Sequence, residues 1–287
     1  MAVLAKNLWN LFKLRISLAI MLCALAGIAV TPGALGPADT ALLALAVLLS
    51  AASAGAFNHY AERELDARMA RTRDRPFVTG YFRHGLPWLA VIVGLLAAAV
   101  ALAGAATNWM AAGYVFLGAF VYGVVYTVWL KRRSWLNIVL GGLAGSFAVL
   151  AGAAAVDPGL SPVPVILAVV LFLWTPPHFW SLATVLHADY KQAGVPMLPV
   201  VVGDRAAAWV TLGHTVALAL LSLLPAAYGM GWIYLAGAAG GGAYFTAKSV
   251  ALVRAPGAPA AAANFKASLL QLSLLLAAAI LDRWLLA

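Results

Sequence analysis

Charge is scarce in this sequence. Charged residues make up 9% of the 287 residues and hydrophobic ones 64%, with a mean hydropathy of +0.96. Soluble globular domains carry about 25% charged residues, so the composition excludes that class and predicts an integral membrane protein. Cysteine is scarcer still, since Cys23 is the single one. A disulfide framework, a cysteine metal site and thiol redox chemistry are therefore excluded.

Long apolar runs fill most of the chain, and nine of them reach the roughly 18 to 24 residues that cross the hydrocarbon core as a helix. The predicted spans are 14–31, 38–57, 86–106, 110–129, 137–156, 161–184, 206–226, 229–250 and 267–286. The first run lacks a small-residue cleavage pattern, which favours a spanning helix over a removed signal peptide. We predict an all-α membrane protein whose nine transmembrane helices form one domain over residues 1–287.

Lysine and arginine fall on one side of this topology. With the N-terminus inside, all of the 18 basic residues except Arg283 lie in cytoplasmic segments, as the positive-inside rule expects. The asymmetry predicts a multi-pass protein of the inner (cytoplasmic) membrane with its N-terminus in the cytoplasm and its C-terminus outside. The net charge of +9 is explained by this topology and an anion-binding face, so nucleic acid is not an expected partner.

Acidic residues concentrate in the stretch NHYAERELDARMARTRDRP, residues 58–76. Three of the nine acids in the chain fall between positions 62 and 66. Asn58, Glu62 and Asp66 are spaced four apart and share one face of a continuing helix, whereas Glu64 points elsewhere. Oxygen ligands set against a hydrophobic segment favour a hard divalent cation. We therefore predict Asn58, Glu62 and Asp66 as metal ligands; a solvated loop is the alternative.

Arginines follow the acids and supply donors that suit phosphate oxygens. Arg71 and Arg75 are the predicted ligands, and Arg73 is expected to face water. An acidic face followed by basic residues is what a metal-bridged diphosphate requires. The other candidate substrate-binding residues at the predicted cytoplasmic face are Lys13, Arg15, Tyr126, Lys131 and Lys191.

Some of these basic residues have a second interpretation. Lys13 and Arg15 lie at the entrance to the first span, where interfacial snorkelling also explains them. Arg132 and Arg133 follow Lys131 and are interpreted as positive-inside anchors only.

Two features mark the sixth span and the loop after it. In WTPPHFW, Pro176 and Pro177 interrupt backbone hydrogen bonding, which is tolerated where a helix lines a cavity or is buried. His178 follows, and an ionisable residue inside a span is a candidate functional group; a structural hydrogen bond is the alternative. In DYKQAGVPMLP, Asp189 is predicted to face the first acidic cluster as a further ligand, with an ordinary loop aspartate as the alternative.

These motifs, in this order and spacing, resemble the UbiA superfamily of intramembrane prenyltransferases. The resemblance extends over roughly residues 13–203. The motifs N-x3-E-x3-D, M-x-R-T-x-x-R-P, YTVWLKRR, WTPPHFW and DYKQAGVPMLP, which lie within it, are most similar to the branch that farnesylates haem. The resemblance implies a helical bundle around a central cavity that holds Mg²⁺ and farnesyl diphosphate, with haem B as the acceptor near His178. The catalytic and metal-binding residues that it implies are Asn58, Glu62, Asp66 and Asp189.

Two other functions are weighed against haem farnesylation. One is transfer to an aromatic quinone precursor, against which WTPPHFW and DYKQAGVPMLP argue. The other is a non-enzymatic haem carrier or transporter, against which the acidic cluster argues, because a carrier needs no diphosphate site. The resemblance also implies association with the lipid bilayer and with a haem A synthase or other oxidase assembly proteins.

Overall fold

The computed structural model describes residues 1–286, and every regular element within them is helical. The helices are α1 (Ala2–Leu11), α2 (Leu14–Val30), α3 (Pro37–Ala61), α4 (Arg63–Asp66), α5 (Leu86–Ala106), α6 (Trp109–Phe120), α7 (Asn137–Gly141), α8 (Leu143–Val156), α9 (Pro162–Val185), α10 (His187–Gln192), α11 (Leu198–Val202), α12 (Asp204–Leu221), α13 (Trp232–Arg254) and α14 (Ala258–Leu286). A π-helical segment, Val121–Leu130, continues α6, and a 3₁₀ turn, Leu224–Tyr228, follows α12. The all-α prediction is confirmed.

Seven helical segments within residues 1–286 are long and apolar enough to cross a membrane, or up to eight if α1 and α2 form one bent span. The predicted count of nine is therefore not confirmed. The predicted span that falls outside this set is α13, which covers most of 229–250. Three consecutive glycines, Gly240 to Gly242, and Lys248 lie within this helix and dilute its apolar residues.

The chain bends by 50° between α1 and α2. Lys13 stands at the bend with a φ of +46°, in the left-handed region that side chains other than glycine rarely adopt. Such a conformation persists when the surrounding contacts over-determine it. Here the contacts are those of the Lys13 side chain, which turns inward to α3 and the π-helical segment.

Two adjacent prolines do not end α9. Pro176 and Pro177 lie inside this helix and are buried. Because proline has no backbone N–H, two carbonyls one turn earlier lose their helical partners, as the sequence predicts. The helix continues nevertheless, since neighbouring helices enclose this part of it. Below the prolines, the Ser181 hydroxyl donates to the Pro177 carbonyl at 2.6 Å.

Helices α2 and α8 cross closely at two glycines. A Cβ atom on Gly27 would collide with the Val149 carbonyl, and one on Gly152 would collide with the Ala24 carbonyl. The small-xxx-small spacing of Gly141 and Gly145 predicts tight packing at these two glycines instead. The structure agrees at Gly141 but not at Gly145. Gly141 does pack on the Tyr126 ring, with its virtual Cβ 3.0 Å away, whereas Gly145 has ordinary space of 3.8 Å to Leu171.

A cavity of about 800 Å³ lies inside the bundle, as predicted. Its wall is contributed by α2, α3, α6 with the π-helical segment, α7, α8, α9 and α14. Most of the wall is apolar. Polar side chains border it in two places, one near the end of α3 and one in the second half of α9.

Candidate active site

The acidic stretch leaves α3 without losing its helical register. Helix α3 ends at Ala61 and α4 adds one further turn, yet the Glu62 N–H still donates to the Asn58 carbonyl and the Asp66 N–H to the Glu62 carbonyl. Asn58, Glu62 and Asp66 are each at most 2% exposed, and Glu64 is exposed. As predicted, Asn58, Glu62 and Asp66 share one inward face, and Glu64 points away from it.

Each residue of this inward face meets a basic side chain. Lys131 Nζ lies 2.5 Å from Glu62 Oε2, and Arg75 Nη1 lies 2.7 Å from Asp66 Oδ2. Both pairs are largely shielded from solvent, with the basic side chains 12% and 16% exposed. For Asp66, burial raises the pKa of the carboxyl above its ordinary value, and the Arg75 guanidinium opposes that shift.

Asn58 takes part in a second set of contacts. Its Oδ1 accepts a hydrogen bond from Lys13 Nζ at 2.6 Å, and its Nδ2 donates to Thr127 Oγ1 at 3.0 Å. Lys13 also donates to the Tyr122 hydroxyl at 2.9 Å. These contacts bring together the α1–α2 bend, the end of α3 and the π-helical segment.

The remaining predicted residues lie around this cluster. Tyr126 is buried on the π-helical segment, borders the cavity and lies beneath Lys131 Nζ, 5.6 Å from its ring centroid. Arg15 is exposed at the cavity edge. Arg71 and Lys191 are exposed, and their side chains have no hydrogen-bond partner among the described residues.

Asp189 lies on α10 and is half-buried. The next residue, Tyr190, belongs to the same hydrophobic cluster as Leu65 and Met69, so α10 lies on the same side of the bundle as the acidic stretch. Asp189 does not join Glu62 and Asp66 in one group, because residues 1–286 contain no group of three or more acidic, histidine or cysteine side chains close enough to hold a metal ion.

The second polar part of the cavity wall comes from α9. Trp174, His178 and Phe179 border the same cavity as Lys13 and Tyr122. The His178 ring is 8% exposed and stacks on the Trp174 ring at 4.3 Å between centroids. One cavity therefore extends from Lys13, at the edge of the acidic and basic cluster, to an aromatic surface that carries a histidine.

Comparison with known families decides the classification. The model of the UbiA prenyltransferase family matches residues 20–275. The chain belongs to the UbiA prenyltransferase family. Two relatives in Paramagnetospirillum magneticum are protoheme IX farnesyltransferase 2, 59% identical over 278 residues, and protoheme IX farnesyltransferase 1, 50% identical over 277 residues. Each alignment covers 96% of this chain. It covers 96% of the first relative and 97% of the second.

Solved UbiA-family structures share the fold. A digeranylgeranylglyceryl phosphate synthase superposes with a TM-score of 0.78 at 18% identity, covering 97% of this chain and 98% of that one. A UbiA homologue from Archaeoglobus fulgidus, bound to DMAPP and Mg²⁺, gives a TM-score of 0.71 at 15% identity, covering 94% and 99%. This protein is thus a multi-span membrane protein with the UbiA fold.

The donor set of the cluster fits the divalent cation found in that homologue. Glu62 Oε1 is buried and has no hydrogen-bond partner within the described residues, so a carboxylate oxygen is free to bind a ligand. Asp66 adds a second carboxylate, and hard oxygen donors are those that Mg²⁺ prefers. Asn58 Oδ1 accepts from Lys13, so its use as a ligand requires that ammonium group to move to another acceptor.

Three polar residues of the site were not predicted from the sequence. Tyr122 and Thr127 contact Lys13 and Asn58 from the π-helical segment, and Tyr122 could have been found because it lies one helical turn before Tyr126. His59 follows Asn58 and is 4% exposed, with its Nδ1 buried and lacking a partner in the part of the chain described. His59 could have been predicted as a site residue from its position inside the acidic stretch.

Proposed function

We propose that this protein transfers the farnesyl group of farnesyl diphosphate to a vinyl group of haem B, giving haem O and diphosphate. The observation that carries the proposal is one cavity bordered by Lys13, which bonds to Asn58 of the acidic and basic cluster, and by the aromatic surface around His178. The relatives named protoheme IX farnesyltransferase, which align over nearly the whole chain, support the choice of both substrates.

The basic residues of the cluster bind the diphosphate in this proposal. Lys13 uses two of its three ammonium protons in the hydrogen bonds to Asn58 and Tyr122, and Lys131 uses one in its bond to Glu62. Arg75 uses one of five donors. The unused donors are available to phosphate oxygens, and Arg15, Arg71 and Lys191 are proposed to reach the diphosphate from the rim.

Mg²⁺ is the proposed cofactor, held by Glu62 and Asp66 with a contribution from Asn58. Asp189, which does not group with these carboxylates in the structure, is proposed to contribute from the other side of the site. When bound, it neutralises charge on the diphosphate as a Lewis acid. The presence of Mg²⁺ in the DMAPP-bound Archaeoglobus homologue supports this assignment.

The chemical step breaks the bond between the allylic carbon and the diphosphate oxygen, and the electron pair leaves with diphosphate. Lys13, Lys131 and Arg75 stabilise the negative charge that grows there, since preorganised donors in a water-poor site act strongly on developing charge. The vinyl π electrons of haem B then form the new carbon–carbon bond. Water adds to the resulting porphyrin-stabilised cation and loses a proton, which gives the hydroxyethylfarnesyl group.

The apolar cavity wall protects the cation-like allylic carbon from capture by water before the vinyl group attacks it. Residues of α2 and α14, among them Ile20 and Leu272, supply apolar surface for the isoprenoid chain. The Tyr126 ring borders the cavity close to the cluster, where an aromatic face stabilises a nearby cation.

We also propose that the chain acts as a single domain with nine spans, α13 being the ninth. The distribution of lysine and arginine supports an N-terminus in the cytoplasm, a C-terminus outside and a site that opens towards the cytoplasm of an inner membrane. Haem O formed at such a site is proposed to pass to an associated haem A synthase or oxidase assembly protein.

The test is to incubate the purified full-length protein with farnesyl diphosphate, Mg²⁺ and either haem B or an aromatic quinone precursor, and to analyse the products by mass. We expect farnesylated haem and unmodified aromatic acid. If only the aromatic quinone precursor is prenylated, that precursor and not haem is the acceptor. Haem binding without transfer from any prenyl donor would indicate a carrier.

A further inference from the structure

The His178 ring is held on three sides. Trp174 and Phe265 stack on its two faces, with centroids at 4.3 and 4.5 Å, and Phe179 meets it edge-on at 5.1 Å. On its edge, Nδ1 lies 2.7 Å from the hydroxyl of Ser268 on α14. Trp174 is fixed by the same helix, because its Nε1 donates to the Ser268 carbonyl.

Ser268 determines which ring nitrogen carries the proton. Its Oγ lies 2.7 Å from the Phe265 carbonyl, which can only accept, so the hydroxyl proton is used in that bond. The same hydroxyl must therefore accept from His178, which requires a proton on Nδ1. In the neutral ring, Nε2 then carries the free lone pair.

The geometry leaves Nε2 facing the cavity. Both ring faces are covered and Nδ1 is bonded, so the edge that contains Nε2 is the part of the ring that borders the open space. Among the described residues Nε2 has no hydrogen-bond partner, and it is not one of the fully buried polar atoms. The polar atom that the α9 surface presents to a ligand is thus an unprotonated imidazole nitrogen.

We propose that His178 Nε2 is an axial ligand of the haem iron, with Ser268 as the positioning residue that fixes its tautomer. The proposal rests on haem B being the acceptor substrate. A metal-bound histidine characteristically donates its other ring N–H to a nearby acceptor, which is the arrangement of His178, Ser268 and the Phe265 carbonyl. Histidine nitrogen is also a common axial ligand of haem iron.

Ligation of the iron by His178 would fix the position of the porphyrin, which the apolar wall alone does not. A flat porphyrin in a cavity of about 800 Å³ has few polar contacts to fix its rotation. One iron–nitrogen bond at the α9 side fixes the distance of the ring from the cluster around Lys13 and Lys131. A vinyl group can then be held within reach of the allylic carbon, which is the kind of positioning that lowers a bimolecular barrier.

The test is the absorption and electron paramagnetic resonance spectrum of ferric haem bound to the purified full-length protein, without farnesyl diphosphate. We expect an imidazole-ligated spectrum for the wild type and its loss in His178→Ala. In His178→Gly, added imidazole should restore that spectrum. Ser268→Ala should weaken haem binding about 10- to 100-fold, the usual effect of losing a residue that orients a metal ligand, and Ser268→Thr should retain affinity.

Metal-free protoporphyrin IX is the matched control, because it has the vinyl groups but no iron. Its binding should be equal in the wild type and His178→Ala, which also verifies that the cavity of the variant is intact. A haem spectrum that is the same in both proteins would overturn the ligation, even if haem is farnesylated. If the spectrum is lost in His178→Ala but the wild type transfers no farnesyl group, the ligation stands and the proposed function is contradicted.

Discussion

Lys131 Nζ lies 2.5 Å from Glu62 Oε2, and this ion pair joins the π-helical segment to the end of α3 across 69 positions of sequence. The carboxylate is 1% exposed and the lysine side chain 12%. A carboxylate at this depth needs a positive partner, because isolated buried charges are costly. The pair therefore combines a structural role with placement of an ammonium group over the ring of Tyr126, which borders the cavity.

Replacing this lysine separates the two roles. Lys131→Met should lower turnover about 10²- to 10³-fold, as expected for a lost donor to developing charge. It should also destabilise the fold by about 3–5 kcal/mol, because Glu62 stays buried without its partner. Rates and melting temperature are the measurements. The double variant with Glu62→Gln should recover stability but not activity; recovered activity would argue against both residues as part of the site.

Arg132 and Arg133 provide matched controls for that change. Both are exposed and follow Lys131 directly. Arg132→Met and Arg133→Met should leave turnover within about twofold, since surface substitutions away from special features have small effects. An equal loss in either variant would mean that overall positive charge, and not the position of Lys131, supports activity.

The two faces of the acidic stretch should respond differently. Asp66→Asn keeps the size of the side chain but removes the carboxylate that pairs with Arg75, and turnover should fall to background at every Mg²⁺ concentration. Glu64→Gln changes the exposed face and should leave turnover and Mg²⁺ dependence unaltered. Steady-state rates over a Mg²⁺ titration measure both. Full activity of Asp66→Asn would remove this residue from the metal site.

Helix packing can be tested at Gly152. Gly152→Ala places a Cβ into the Ala24 carbonyl of α2 and should destabilise the protein by about 1–3 kcal/mol, the usual cost of overpacking. Gly145→Ala on the same helix meets only Leu171 at 3.8 Å and should be neutral. Thermal unfolding in detergent compares them. Equal melting temperatures would mean that α2 and α8 cross less closely than described.

Asp282 offers a stability test away from the site. Its carboxylate accepts from the Gly231 and Tyr234 N–H groups at 2.7 and 3.0 Å and so caps the start of α13 from α14. Asp282→Ala should cost about 1.5–3 kcal/mol, the range for hydrogen bonds to a charged group. Asp157→Ala, which removes one exposed bond to the Gly159 N–H, is the comparison and should cost less. Identical melting curves would contradict the cap.

Local periodicity accounts for what the sequence predicts well. The four-residue spacing of Asn58, Glu62 and Asp66 places them on one face whatever the rest of the bundle does, and Glu64 is correctly predicted to point away. Most helix boundaries follow for the same reason, because apolar runs of span length leave few alternatives. The largest departure is α14, which begins at Ala258, whereas the predicted span begins at position 267.

Contacts between distant segments could not be predicted in the same way. The Lys13 to Asn58 bond joins residues 45 positions apart and depends on a left-handed bend that no local pattern indicates. Small residues are frequent throughout the spans, so the sequence does not distinguish Gly27 and Gly152, which form the close crossing, from Gly145, which does not. The bond between His178 and Ser268 likewise depends on how α9 and α14 pack.

The most direct test of haem farnesylation is the mass of haem recovered after the purified protein is incubated with haem B, farnesyl diphosphate and Mg²⁺ in water enriched in heavy oxygen. We predict one added farnesyl group and one hydroxyl group whose oxygen is heavy, with unlabelled oxygen in the released diphosphate, because the carbon–oxygen bond breaks. Unmodified haem, with farnesyl diphosphate intact or hydrolysed, would contradict the proposed function.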